Sequence, residues 1–443
     1  MGASILSPLP VDQPTGEGLV RAIRRWDLVA LAVNAIVGAG IFGLPSEVFR
    51  RIGAWSLLAF LACGFVVTLI ILCFAEVSSR FTGTGGPYLY ARETFGPLVG
   101  FEVGWLIWIA RVTAFAANCN LLIGYLGYFW PGAESPVPRV VLIGTVVAGL
   151  TVVNLLGVRN ATRASNIFTV SKLLPLLLLV GVGIFVLDTG RYSFAARPPL
   201  GEFSASVLLL VYAFSGFEMA TISGGEARNP RADLPRALLY AMGVVVVLYF
   251  LIQLVAIGTV PGLAGSTRPL ADAGGSFLGA WGAALITIGA VISILGNLNV
   301  IVMAGSRLPF AMAEGGQLPR LIAVTHPRFR TPHVAIVITA GVALLLTLSG
   351  TFVYAATISV IARLLSYAAT CAALPVLRHR ESAPAALFRA PAGVAVSIVA
   401  LVLVGWLLSH STRVQARDAG IAVVAGLVLY LGMLMVRRGA PGT

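Results

Sequence analysis

The chain has 443 residues, 58% hydrophobic and only 11% charged, with a mean hydropathy of +0.94. This composition excludes an ordinary soluble domain and indicates an all-α polytopic membrane protein. A net charge of +13 would suggest a nucleic-acid partner in a soluble protein, but among long apolar segments it reads as membrane orientation, with the lipid bilayer as the partner and no nucleic acid.

Residues 1–20 (MGASILSPLPVDQPTGEGLV) are rich in proline and glycine and lack a basic n-region, an apolar h-region and a cleavage site, so they read as a disordered cytoplasmic tail. Apolar stretches of spanning length follow at about 27–49, 54–79, 97–129, 138–157, 165–187, 203–226, 234–260, 276–313, 333–350, 352–377, 391–410 and 417–436. These twelve segments predict twelve transmembrane helices in one domain over residues 21–437, with 438–443 as a second tail.

Of the thirty basic residues, twenty-nine are arginine. With the N-terminus inside, the inner loops and helix ends hold nineteen arginines and the outer set eight, so both termini are expected on the cytoplasmic side of the inner (plasma) membrane. Cys63, Cys73, Cys119 and Cys371 lie within apolar segments without a CxxC pair, and the four histidines lack metal-ligand spacing. No cofactor or metal is expected.

Segment 1 reads LALAVNAIVGAGIFGLPSEVF. Gly38, Gly40 and Gly43, followed by Pro45, predict that this helix unwinds near Gly38 to Ile41. Segment 3 carries Arg111, permanently charged and therefore unable to act as a proton switch; an acidic residue such as Glu102 or Glu218 is a candidate partner. Segment 5 carries Lys172, the single lysine, in the run NIFTVSKLLPLLLLVGVGIFVL. An ammonium at the centre of a membrane helix costs roughly 2.5–3.5 kcal/mol on insertion scales, and an intramembrane lysine is a functional-site hypothesis by default. A guanidinium keeps its proton under all relevant conditions, whereas an amine can release one.

Segment 6, SASVLLLVYAFSGFEMATISGGEARNP, is interrupted at Ser215, Gly216 and Glu218, at a depth comparable to the first break and five helices after it. Corresponding discontinuities in two halves point to an inverted-repeat transporter with its substrate at the midplane. An unwound segment frees N–H groups at the start of one half-helix and carbonyls at the end of the other. The amides of Ala39, Gly40 and Ile41 can hold a carboxylate, and the carbonyls of Ile36, Val37, Tyr212 and Ala213 an ammonium. That pattern fits a zwitterion. Glu218 begins the second half of segment 6, where it can order the break, relay a proton or face a cationic substrate.

GAGIFGLP in segment 1, NLLGVRNATRASNIFTVSKLLPL through segments 4 and 5, YAFSGFEMATISGGEARNPRADLPRAL in segments 6 and 7, and GNLNVIVMAGSRLPFAMAEGGQLP in segment 8 together resemble the amino acid/polyamine/organocation permeases. The resemblance covers nearly the whole chain. It implies a leucine-transporter-type 5+5 inverted repeat with broken helices 1 and 6, repeat one over about 27–187 and repeat two over about 203–377. Segments 11 and 12, about 391–436, are then peripheral. It further implies an amino acid substrate, a carboxylate cradle at GAGIF, a gating aromatic at Tyr212 and a pocket-lining Ser215. Ala114, Phe115 and Asn118 of segment 3, with Asn297 and Ile301 of segment 8, are implied for the opposite wall. Lys172 matches a lysine that stands in for a sodium ion in proton-coupled relatives, with Ser293 among its expected neighbours. The loop GGEARNPRADLPRA resembles a family signature that contributes gate ion pairs through Glu226, Arg228, Arg231 and Asp233.

The expected function is secondary active transport of amino acids by proton-coupled symport and alternating access. An exchanger of amino acids or polyamines without net proton flux is the alternative, and a non-transporting amino acid sensor on the same fold is a third reading. HExxH, GxSxG and paired catalytic carboxylates are missing, so an enzyme is not expected.

Overall fold

The structure is a computed structural model that describes residues 24–83, 85–156, 173–222 and 227–439. Those residues are almost wholly helical. Segment 1 forms α1 (Arg25–Ile36) and α2 (Gly40–Ile52), and segments 2, 3 and 4 form α3 (Ser56–Ser78), α5 (Pro97–Leu126) and α6 (Pro136–Leu155). Between α3 and α5 lies α4 (Pro87–Phe95), a short helix that hydropathy alone does not reveal. Segment 5 is described as α7 (Leu173–Gly183), and segment 6 as α8 (Leu200–Phe214) and α9 (Glu218–Ile222). Then come α10 (Pro230–Thr259), α11 (Pro269–Gly305), α12 (Arg307–Glu314), α13 (His333–Ser349), α14 (Phe352–His379), α15 (Gly393–Ser409) and α16 (Arg413–Gly439).

Local chemistry sets these boundaries. The helices α4, α5, α6, α10 and α11 each open on a proline, whose fixed φ suits the first turn and whose missing N–H would have had no partner there. Segment 8 is longer and more articulated than hydropathy suggests. Its helix begins at Pro269, leaves helical geometry at Gly279 (φ 62°, ψ −156°) and passes at Ser306 into α12.

Among the described residues, seven helical runs combine the length and apolarity needed to cross a membrane, and four shorter apolar helices accompany them. The central helix is α5. Its apolar stretch is 89% buried, against 11% for α6 and for α16, which therefore present most of their surface to the surroundings. Large apolar side chains such as Trp281, Phe185, Val137 and Leu345 are exposed, as a lipid-facing exterior requires. Around α5 the core is built by α14 lying along it, by α3 packed on α10, and by α8 between α2 and α3.

The two interruptions fall at residues 37–39 and 215–217, and they touch. Gly216 has φ +118°, and a Cβ there would run into the Ala35 carbonyl, so both conformation and space demand glycine. At Gly40 a Cβ would stand 2.7 Å from the Ala213 Cα, so α2 starts against the end of α8. Gly216→Ala is expected to lower the unfolding midpoint of detergent-purified protein by the equivalent of about 2 kcal/mol or more. Gly144→Ala on α6, where a Cβ meets nothing within 4 Å, is the control and should leave the midpoint unchanged or raised.

Candidate functional site

The first break forms because α1 closes on Val37, whose amide donates to the Val33 carbonyl at 2.8 Å and whose φ/ψ (−71°, 87°) then leaves the helix. The chain re-enters helix through Ala39. Gly40 and Ile41 occupy the first turn of α2, where their N–H groups have no preceding helical carbonyl; the Phe42 amide takes the Ala39 carbonyl at 3.0 Å. The second break follows the same logic. Ser215 turns extended (φ −88°, ψ 163°), its hydroxyl donates to the Tyr212 carbonyl at 3.0 Å, and Glu218 opens α9. The Glu218 carboxylate reaches back to accept the Gly216 amide at 2.9 Å, which orders the break from within.

Sequence reasoning missed the residue that joins the two breaks. Tyr249 of α10 is fully buried, and its hydroxyl lies 3.1 Å from the Ile36 carbonyl and 3.3 Å from that of Ala213. The single O–H therefore bridges the carboxyl ends of α1 and α8. Hydropathy cannot single it out, because a tyrosine in an apolar segment looks the same whether it packs or bridges.

The opposite wall is formed by α5 and α11. The Asn118 amide donates to the Asn297 side-chain oxygen at 2.9 Å, while its own oxygen accepts the Tyr212 hydroxyl, which also lies 3.2 Å from the Ala114 carbonyl. Asn297 sits against the first break, since a Cβ on Gly38 would come within 2.7 Å of its amide nitrogen. Phe352, at the start of α14, meets the Tyr212 ring edge to face with centroids 6.1 Å apart. Ile36, Val37, Ala39, Gly40, Ile41, Ala114, Phe115, Asn118, Tyr212, Ala213, Ser215 and Ile301 are all buried, and Asn297 is half-buried.

Ser293 lies one helical turn before Asn297 on α11; it is buried, and its hydroxyl has no hydrogen-bond partner among the described residues. Lys172 and Glu226 lie outside the described residues. Of the remaining loop charges, Asp233 pairs with Arg25 at 2.8 Å, Arg231 donates to the Ser79 carbonyl at 2.7 Å, and Arg228 is exposed.

A buried charge cluster lies under the second break. The Glu218 carboxylate pairs with Arg363 of α14, accepts the Tyr367 hydroxyl at 2.6 Å, and lies 3.6 Å from the Arg111 guanidinium. Of the two acidic candidates for Arg111, the structure selects Glu218. Both oxygens of Glu102 are buried without a hydrogen-bond partner among the described residues, beside Gly426 of α16.

Two discontinuous helices that meet beside a buried polar wall, inside a bundle with an apolar exterior, are the architecture of an integral multi-pass membrane transporter. The chain belongs to the amino acid permease family, whose pattern it matches over residues 23–434. It is 27% identical to the serine/threonine exchanger of Bacillus subtilis over 94% of this chain and 97% of that protein. It is 26% identical to the methylthioribose transporter of the same organism, with 94% of each chain covered, and 28% identical to its branched-chain amino acid permease, with 72% of each covered. These relatives are transporters and not enzymes.

Glu218→Gln is expected to destabilise the protein by about 3–5 kcal/mol, because it leaves two buried guanidiniums without their carboxylate. Glu102→Gln, which neutralises a carboxylate that nothing compensates, should be neutral or stabilising. Unfolding midpoints of the two variants, measured side by side, separate these outcomes.

Proposed function

We propose that this protein carries amino acids across the inner membrane by alternating access, binding the substrate as a zwitterion between the two helix breaks, with both termini in the cytoplasm. Repeat one (about 27–187) and repeat two (about 203–377) rock against each other, with segments 11 and 12 outside the moving core. The observation that carries the reading is the direct contact of the breaks at Gly216 and Ala35, which brings the amides of Gly40 and Ile41 and the carbonyl ends of α1 and α8 to one place.

Each group then has a task. The amides at the start of α2 receive the carboxylate, because they are unpaired donors at the positive end of a helix. The carbonyls of Ile36, Val37, Tyr212 and Ala213 receive the ammonium; those with an internal donor from Tyr249 or Ser215 retain a second lone pair. Tyr212, tied to Asn118, closes over the substrate, and Ala114, Asn297 and Ile301 contact its side chain. The methylthioribose relative makes the point that family membership does not itself require a zwitterion, so the substrate chemistry rests on these backbone groups.

Proton symport is the coupling we assign, with Lys172 as the group that changes protonation. Two observations support it. Lysine appears once among thirty basic residues, inside an apolar segment. The helix that follows it, α7, packs Pro175 against Gly289 of α11, where a Cβ would come within 2.5 Å, and four residues on stands Ser293, whose hydroxyl has no partner among the described residues. In proteoliposomes, Lys172→Ala should abolish proton-gradient-driven accumulation while leaving exchange of internal for external substrate; unchanged gradient-driven uptake would remove Lys172 from the coupling step.

The serine/threonine exchanger among the relatives favours a second reading, obligatory exchange without net proton flux. Uptake that requires internal amino acid and ignores an imposed pH gradient in the unmodified protein would select it.

A further inference from the structure

Arg111 is the fifteenth of thirty residues in α5, so it lies midway along the most buried helix of the bundle. It is 4% exposed. A guanidinium carries five N–H donors, and buried donors are almost always paired. Yet Arg111 makes no hydrogen bond with any described residue, and its Nη2 is wholly enclosed. Its ion-pair partner, Glu218 Oε1 at 3.6 Å, is beyond hydrogen-bonding distance and is already taken by Arg363. The other Glu218 oxygen is occupied by the Gly216 amide and the Tyr367 hydroxyl. Among the described residues one carboxylate thus serves two guanidiniums, and the cluster carries a net positive charge at a largely buried place.

The position of this charge is informative. Arg111, Ala114 and Asn118 follow i, i+3, i+7 and so share one face of α5, the face that meets Tyr212 and Asn297 at its far end. Seven residues of helix separate Arg111 from Asn118, about 10 Å of rise. Beside Arg111, α11 presents Gly305; a Cβ there would lie 3.7 Å from the Arg111 Cδ, so the missing side chain leaves the guanidinium stem uncrowded.

We propose that Arg111 is an anion subsite adjoining the substrate site, and that it binds a monoanion of carboxylate or halide size. The missing negative charge has two chemical sources: an inorganic halide, or the second carboxylate of a dicarboxylic amino acid held by its backbone between the breaks. A planar guanidinium that makes no hydrogen bond with a described residue suits either, and binds a carboxylate in bidentate fashion. The same surplus charge opposes a cationic side chain. The substrate arm rests on the transport reading above; the halide arm does not.

The test uses full-length protein in detergent at constant ionic strength. One arm compares unfolding midpoints in chloride and in isethionate, a larger and weakly coordinating anion. The other measures binding of L-aspartate against L-asparagine and L-glutamate against L-glutamine in isethionate, pairs that differ in charge but hardly in shape. The proposal expects a chloride-dependent rise in midpoint, or at least about tenfold tighter binding of the acid than of its amide. It expects that response to disappear in Arg111→Gln and to be weakened in Arg111→Lys, which keeps the charge but loses the fork. Unmodified protein indifferent to chloride that also binds acid and amide alike would overturn it, without needing any variant to fold. So would an Arg111→Gln protein that keeps the response. If no amino acid binds at all, the transport reading fails separately and the chloride arm alone decides the role of Arg111.

Discussion

A polypeptide surrounded by hydrocarbon must satisfy its own backbone, and an interrupted helix is tolerated only where something else supplies the partners. In this protein the two interruptions lie against each other, and side chains supply partners for their backbone. Gly216 lies against the carbonyl of Ala35, and Tyr249 places one hydroxyl between the carbonyl ends of α1 and α8. Ser215 and Glu218 close the remaining polar groups of the second break locally. The amides at the start of α2 have no preceding helical carbonyl, and Asn297 lies against the break beside them. The proposed zwitterion site rests on these backbone groups.

Two clusters of the same composition and different character hold most of the buried charged side chains. Glu76 of α3 is held by Arg80 and by Arg378, with further bonds from Arg378 and from the Ala390 amide at 2.6–2.9 Å. There Arg80 also finds the Pro384 carbonyl, and the Arg378 side chain is 26% exposed, so every charge has a partner or water. That arrangement fastens α3, α14 and the start of α15 together. The Glu218 cluster has the same one acid and two arginines, but it lies at mid-helix and Arg111 donates to none of the described residues. Arginine is tolerable in the first because both guanidiniums are hydrogen-bonded to Glu76, although Arg80 Nε has no partner among the described residues. In the second its cost is warranted by a role beyond holding helices together.

Much of this was legible in the residues themselves. Gly38 and Gly40, then Ser215 and Gly216, announce the breaks because glycine acts on the backbone locally, and the structure interrupts its helices within a residue or two of those points, while Pro45 lies inside α2. The family followed from motifs spread over nearly the whole chain, and the match over residues 23–434 bears it out. What the sequence conceals is pairing across the fold. Arg111 finds Glu218 over a hundred residues away, and Tyr249 finds two carbonyls on helices it does not adjoin in sequence. The short helix α4 was hidden for another reason: it is amphipathic and too polar to register as a span. The bend at Gly279 was hidden because both of its arms are apolar.

The central claim is that the helix breaks read both ends of an amino acid. Equilibrium binding to purified protein of the best-bound L-amino acid, its decarboxylated amine and its deaminated carboxylic acid tests that claim directly. The account predicts that each single-ended analogue binds at least about tenfold more weakly than the parent, since each leaves one set of buried backbone groups without its partner. An amine or acid that binds as tightly as the parent would contradict it.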